Sequence, residues 1–479
     1  MKWLNGTDAL MLSSETPNVH LHTLKVAVIE LDQDCRNFDI EAFRAAIGAR
    51  LHKLEPFCYQ LVEVPFKFHH PMWREHCDVE LTYHIRPWRL PAPGGRRELD
   101  EAIGQIGSAP LDRSRPLWEL YFVEGLSGGR IAVVGKIHHA LVDGVGAANL
   151  MALGMDLRPG PQRGPQPPDP VPSTRRLIGW ALADHVRHGG RIPRAIGYTA
   201  RGLSRVRRSS RTLSEVLRRP FTPPPTFMNH HLRSPKRRFA SISLALADVK
   251  QTGQRLGVTV NDLVLAMSTG ALRTLLLRYD GRAEPLSAVI PVSLDGSADR
   301  FSGNCADALS VALPVDLEHA LERVRGCRRS AMSSKERQRL RGPELASRWL
   351  DCAPPVIAEP VIRLASSRKA VSTMPNLIIS NVRGPFERRG RVGGALVTEI
   401  YSVGHLAPWS GLNITAWSYV DQLNVSVLTD DATVEDPHEV TEAMRAEFVE
   451  IRRSAGLSEQ LTVVECAMAP IAVDRDVTP

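Results

Sequence analysis

Between Pro159 and Pro172 the chain is dominated by proline and glycine, with Pro167-Pro168-Asp169-Pro170 inside the stretch. Proline lacks a backbone N–H and holds φ fixed, so this stretch can form neither a helix nor an inner strand. It divides a chain of 479 residues that is too long for one ordinary hydrophobic core. The expected organisation is an N-terminal unit over 1–158, a connection over 159–235 and a C-terminal unit over 236–479. In the first unit residues 24–31 alternate as a strand and 40–54 keep an apolar helical period. Residues 117–123 and 130–137 read as a hairpin around Ser127-Gly128-Gly129. In the second unit the pattern predicts strands over 239–246, 287–292, 309–313, 376–380, 396–403, 412–419 and 422–429, and helices over 247–256, 262–279 and 437–453. Both units are therefore α/β.

Directly after the predicted strand 130–137 stand His138-His139-Ala140-Leu141-Val142-Asp143-Gly144. Imidazole takes up and returns protons near neutrality, with an ordinary pKa of about 6.5. Successive side chains of an extended segment point to opposite faces, so one histidine works and the other supports. Asp143 followed by Gly144 suits a tight turn, in which the carboxylate anchors backbone or an arginine and the glycine takes a dihedral that other residues resist. A short helix is expected after Gly144. The alternative is a pair of satisfied histidines before an Asp-Gly turn.

Other signals narrow the chemistry. Gly144-Val145-Gly146 imitates a dinucleotide fingerprint but lacks its third glycine and the acid about twenty residues on. No GxSxG elbow occurs and no cysteine lies beside the motif, so direct transfer is expected rather than a covalent acyl-enzyme. The close pairs His20/His22, His69/His70 and His230/His231 lack the spacing of a zinc site, so neither metal nor cofactor is expected. Seven scattered cysteines without CxxC spacing suit a reducing compartment, and the first residues turn polar too early for a signal peptide; a cytoplasmic location is expected.

The motif and its flanks resemble the bacterial wax ester synthase/acyl-CoA:diacylglycerol acyltransferase family. The resemblance includes Asp8-Ala9-Leu10, Glu15-Thr16-Pro17, Pro116-Leu117-Trp118-Glu119, Val260-Asn261-Asp262, Pro291-Val292-Ser293-Leu294, Gly303-Asn304 and Ser380-Asn381-Val382, in the family's order. HHxxxDG alone is shared with the wider CoA-dependent acyltransferase superfamily, peptide-synthetase condensation domains included. The resemblance implies a two-domain, chloramphenicol acetyltransferase-like α/β sandwich with mixed sheets and an active-site tunnel between the domains. It implies acyl transfer from acyl-CoA to diacylglycerol or a long-chain alcohol, with His139 as general base, His138 supporting, Asp143 structural and Gly144 in the turn. Asn261 and Trp118 are candidate substrate contacts, with helix capping and core packing as their alternatives. Other readings are a superfamily enzyme acting on a carrier-bound or polyketide acceptor, and a catalytically weak lipid-surface protein. Three departures stand out: Asp295 and Cys305 occupy positions where arginine is common, and Arg383 replaces proline. Loss of two cations predicts weakened CoA binding or a poorly anchored Asp143.

The net charge of +8 suggests an acidic partner. Without a zinc-finger, RNP or helix-turn-helix signature, nucleic acid is not expected. Residues 173–219 read as an arginine-rich helix, Arg205, Arg207, Arg208 and Arg211 among its cations, with Leu177, Ile178, Trp180, Leu182, Ile192, Ile196 and Leu203 as an apolar side. Such a helix either packs on the second unit or meets an anionic membrane or lipid-droplet surface. The apolar run 263–277 falls short of a spanning helix.

Overall fold

The computed structural model describes residues 1–31, 35, 38–158, 164, 166–210, 223–365, 374–464 and 467–468. Two six-stranded mixed sheets form its frame. The first has the order Arg391–Val392, Ala395–Val403, His22–Glu30, Arg130–His138, Trp118–Leu126, Ile85–Arg89. Its strands are antiparallel except for Ile85–Arg89, which runs parallel to Trp118–Leu126. The second has the order Ala306–Leu313, Leu286–Ser293, Leu377–Arg383, Leu412–Tyr419, Gln422–Asp430, Arg237–Ala245, with Leu377–Arg383 parallel to both neighbours.

The expected hairpin forms between Trp118–Leu126 and Arg130–His138, turned by Gly128 and Gly129 at φ 75° and 68°. Those dihedrals are open to glycine at little cost. The predicted helix over 40–54 ends earlier, at Arg50, and two short 3-10 turns carry the chain through Pro56.

Strand Ala395–Val403 comes from the C-terminal half of the chain yet pairs with His22–Glu30 in the first sheet. The units are therefore interlocked rather than strung on a linker. The two sheets are also stitched by side chains: Asn424 Nδ2 donates to Ile400 O at 2.8 Å, Gln422 Nε2 to Thr398 O at 3.1 Å and Tyr419 OH to Val397 O at 3.1 Å.

Helix Val260–Tyr279 has the length and composition to cross a membrane, five residues longer than the apolar run suggested, but it is the core helix of the C-terminal half. Leu263, Val264, Ala266, Met267 and Leu272 are all buried against the second sheet and helix His438–Ser454. The basic segment forms two helices, Thr174–Arg187 and Arg191–Ser210. Arg211 and the arginines after it lie outside the described residues. Its inward face is made of small residues and one leucine, Leu177, Ala181, Ala195 and Gly202, where a Cβ on Gly202 would lie 2.2 Å from Arg341 O. Leu182, Ile192, Ile196 and Leu203 face outward, each about half exposed or more. These four side chains thus do not pack on the second unit, whereas Tyr198 does, beside Gly342 and Arg348.

Candidate active site

Strand Arg130–His138 ends on His138, and His139 is the next residue. Alternation puts His139 in the row of Val133, Gly135 and Ile137, which line an apolar cavity. The opposite wall is helix Gly144–Gly154, through Ala147, Leu150 and Met151, with Phe43 and Ile47 from helix Ile40–Arg50. Strand His22–Glu30 contributes Lys25, Ala27 and Ile29. Lys25 is the one charged residue of this lining.

The two histidines separate as alternation requires. His138 Nδ1 accepts the Ala140 N–H at 3.0 Å, which leaves its proton on Nε2, 3.3 Å from Glu15 Oε1. Burial alone would raise the Glu15 carboxyl, but His138, the Leu21 N–H and Arg113 outweigh it and hold it well below the carboxylate range. His138 is therefore a brace, tied to a fixed anion. Burial, then the positive charge of Lys25, lowers the His139 imidazole to about 4, so it is neutral at physiological pH. Its ring meets His405 edge to face at 5.2 Å, and its Nδ1 has no hydrogen-bond partner among the described residues.

Asp143 is not the orienting partner of His139. It caps helix Gly144–Gly154 by accepting the Gly146 N–H at 3.0 Å. The same oxygen pairs with Arg300 Nη2 at 2.9 Å, and the other accepts the Cys305 N–H at 3.1 Å. The cation that Asp295 and Cys305 fail to supply comes from Arg300, so the predicted loss of anchoring does not occur. Cys305 contributes its backbone N–H, for which the side chain is irrelevant. Gly144 is not a left-handed turn residue: it begins the helix, and its small size matters because a Cβ would lie 3.0 Å from Val382 Cγ2. Arg383, where proline was expected, lies over the Phe386 ring at 3.9 Å.

The loop over 300–305 clasps the whole motif. Gly303 N donates to Leu141 O at 2.7 Å, and Asn304 Nδ2 donates to both His139 O at 2.6 Å and Asp8 Oδ1 at 2.7 Å. Asn149 Nδ2 returns the contact to Ser297 O and Arg300 O. Burial pushes the Asp8 carboxyl up to about 7, although the two Asn304 donors oppose the shift.

The other two candidates are structural. Trp118 is fully buried, stacked on Phe57 at 4.5 Å and His84 at 4.3 Å, and its Nε1 donates to Phe57 O. It is a core residue and not a substrate contact, because its indole is enclosed and its one donor is used. Helix Val260–Tyr279 is capped by Thr259, whose Oγ1 accepts the Asp262 N–H while Asp262 Oδ2 accepts the Thr259 N–H. Asn261 is thus the second helical residue, half-buried, with no side-chain hydrogen bond among the described residues. Nothing in this geometry brings it to His139. Sequence reasoning missed Lys25, Arg300 and His405 as site residues. Lys25 carried a signal, a lysine directly before the apolar run 26–29 of its strand; Arg300 and His405 lie in loops that carry none.

Residues 4–264 match the family model of the wax ester synthase/diacylglycerol acyltransferase catalytic domain, and residues 302–452 match the WS/DGAT C-terminal domain. The chain belongs to this family. A protein of Mycobacterium tuberculosis (strain H37Rv) named "Putative diacyglycerol O-acyltransferase" is 66% identical over 469 residues, covering 98% of this chain and 100% of its own. A second one from that strain is 33% identical, over 95% of this chain and 98% of its own. Among solved structures, the wax ester synthase/diacylglycerol acyltransferase from Marinobacter aquaeolei VT8 superposes with a TM-score of 0.68 at 24% identity, covering 95% of this chain and 100% of that one. The starter condensation domain of rhizomide synthetase superposes with a TM-score of 0.55 at 14% identity, over 97% and 96% of the two chains. These structures bear out the two-domain α/β sandwich with mixed sheets. In this family member, Arg300 lies just before the matched C-terminal range, and the clasp it forms joins the two matched regions.

Proposed function

We propose that this acyltransferase moves a fatty acyl group from acyl-CoA to the hydroxyl of diacylglycerol, giving triacylglycerol, and that long-chain alcohols serve as further acceptors, giving wax esters. The observation that carries the reading is a neutral imidazole, His139, placed directly after the strand whose Val133, Gly135 and Ile137 line a cavity of almost wholly apolar side chains. The cavity takes the acyl chain. His139 removes the hydroxyl proton as the oxygen attacks the thioester carbonyl; the C–S bond then breaks, and the imidazolium returns the proton to the CoA thiolate. Neither metal nor cofactor is needed for that sequence. The test incubates the purified protein with labelled acyl-CoA and diacylglycerol, hexadecanol or a carrier-bound acceptor. Labelled triacylglycerol supports the reading. Product only on the carrier-bound acceptor, or none from a folded protein, overturns it.

Substrates this apolar need a lipid surface, and the two basic helices suit one. Arg175, Arg187, Arg194 and Arg201 are exposed beside the outward-facing Leu182, Ile192, Ile196 and Leu203, the pairing of headgroup-binding cations with insertable apolar side chains. We infer peripheral contact with an anionic membrane or lipid-droplet surface on the cytoplasmic side. Each exposed cation contributes about 1 kcal/mol near such a surface, and the attraction fades with salt. Changing these four arginines to glutamine should reduce co-sedimentation with anionic vesicles; unchanged binding would assign the contact to another surface. Arg205 is left intact, because its Nε donates to Leu340 O and holds the helix down.

A further inference from the structure

Lys25 is a buried ammonium in a cavity otherwise built for hydrocarbon. Its strand neighbours explain how it fits: Gly135 stands opposite it on Arg130–His138, and Ser402 opposite it on Ala395–Val403. Nζ donates to Ser402 Oγ at 2.5 Å and lies 5.3 Å from the Trp417 ring centroid. An ammonium has three donors, and this one has a single hydrogen-bond partner among the described residues, with no carboxylate within ion-pair distance. A buried donor left unmatched is costly, and a charged one more so. In the strand register Lys25 pairs with Gly135, between the Thr23/Ile137 pair on the His139 side and the Ala27/Val133 pair beyond it, so Lys25 lies nearer to His139 along the strand than Ala27 and Ile29 do.

We propose that Lys25 is a specificity-determining residue that selects acyl chains carrying an oxygen substituent, a hydroxyl or keto group, along their length. The oxygen supplies an acceptor for the remaining donors of the ammonium, while the hydrocarbon on either side fills the apolar walls. A plain saturated chain leaves those donors unmatched. In pockets of this kind a few placed polar groups set orientation and selectivity while the apolar lining supplies affinity. This inference rests on the assignment of the cavity as the acyl site.

The experiment measures binding by calorimetry without acceptor, using stearoyl-CoA and its 3-, 10- and 12-hydroxy derivatives. The wild-type protein should bind at least one hydroxylated donor about 10-fold more tightly than stearoyl-CoA, within the range of a hydrogen bond to a charged group. Lys25→Met, close in length and apolar, should abolish or reverse that preference, and turnover with the same donors should follow the same order. Equal affinity for all four donors in the wild type overturns the proposal whether or not the variant folds. An unchanged preference in Lys25→Met, or a kcat lowered equally for every donor, also overturns it, the latter because Lys25 would then act on the shared thioester. Failure to bind any acyl-CoA would instead refute the acyl-CoA function itself, and this inference with it.

Discussion

Replacing Arg300 with methionine removes the only cation on Asp143 among the described residues and leaves a carboxylate with 5% side-chain exposure facing the Gly146 and Cys305 N–H groups alone. The Arg300 side chain is itself 12% exposed, and it also donates to Gly303 O and Asp295 O. Removing one member of a buried pair typically costs about 3–5 kcal/mol, because the other charge stays buried and unpaired. Two remaining N–H donors and partial solvent access reduce that, so a loss of about 2–3 kcal/mol is expected for Arg300→Met. Asp143→Asn keeps an acceptor oxygen for the helix cap and should cost about 1–2 kcal/mol. The pair is read by a double-mutant cycle on urea unfolding monitored by fluorescence. If the ion pair is what joins the motif to the clasp loop, the double variant should lose less than the sum of the singles, by about 1–2 kcal/mol. Additivity within about 0.5 kcal/mol would refute the argument and reduce Arg300 to a backbone tether. Acyl transfer should fall in both single variants, since the His139 carbonyl is held by the same loop through Asn304.

His139→Ala should lower kcat by about 100- to 10,000-fold without unfolding the protein, whereas His138→Ala should mainly lower stability, since it breaks the bond to Ala140 and the contact with Glu15; a folded His139→Ala enzyme within a few fold of wild type would remove it from the mechanism. Because burial and Lys25 lower His139 to about 4, the acid limb of kcat/KM should lie well below 6.5, and Lys25→Met should move it upward; a limb near 6.5 in the wild type contradicts this. Asp8, raised by burial to about 7 from 3.8, binds its proton more tightly when folded, so its contribution to stability is complete below about pH 3.8 and is lost as pH rises through 7. Asp8→Asn should therefore gain stability relative to wild type on going from pH 5 to pH 8, and an equal difference at both values would count against the shift.

Much of the frame was legible from local pattern. Alternation and strand-forming residues located strands His22–Glu30, Arg130–His138, Leu412–Tyr419 and Gln422–Asp430 to within two residues, although the structure buries both faces of these strands. The same period separated His139 from His138 before any contact was known, and the Asp143-Gly144 pair announced an anchored junction. What the sequence could not determine is which distant segments meet. Arg300 and Asn304 reach the motif across more than 150 residues, and strand Ala395–Val403 crosses into the sheet of the other half. Such pairings depend on sheet order and loop path, which leave no periodic trace in a single chain. Gly144 shows the limit in one residue: sequence reads a glycine after aspartate as a turn, whereas the fold needs its small size against Val382. Lys25 shows the complement. Sequence alone placed a lysine in a strand; only the tertiary structure, by closing two helices and a second sheet over that face, turned an ordinary charge into a buried one with donors to spare.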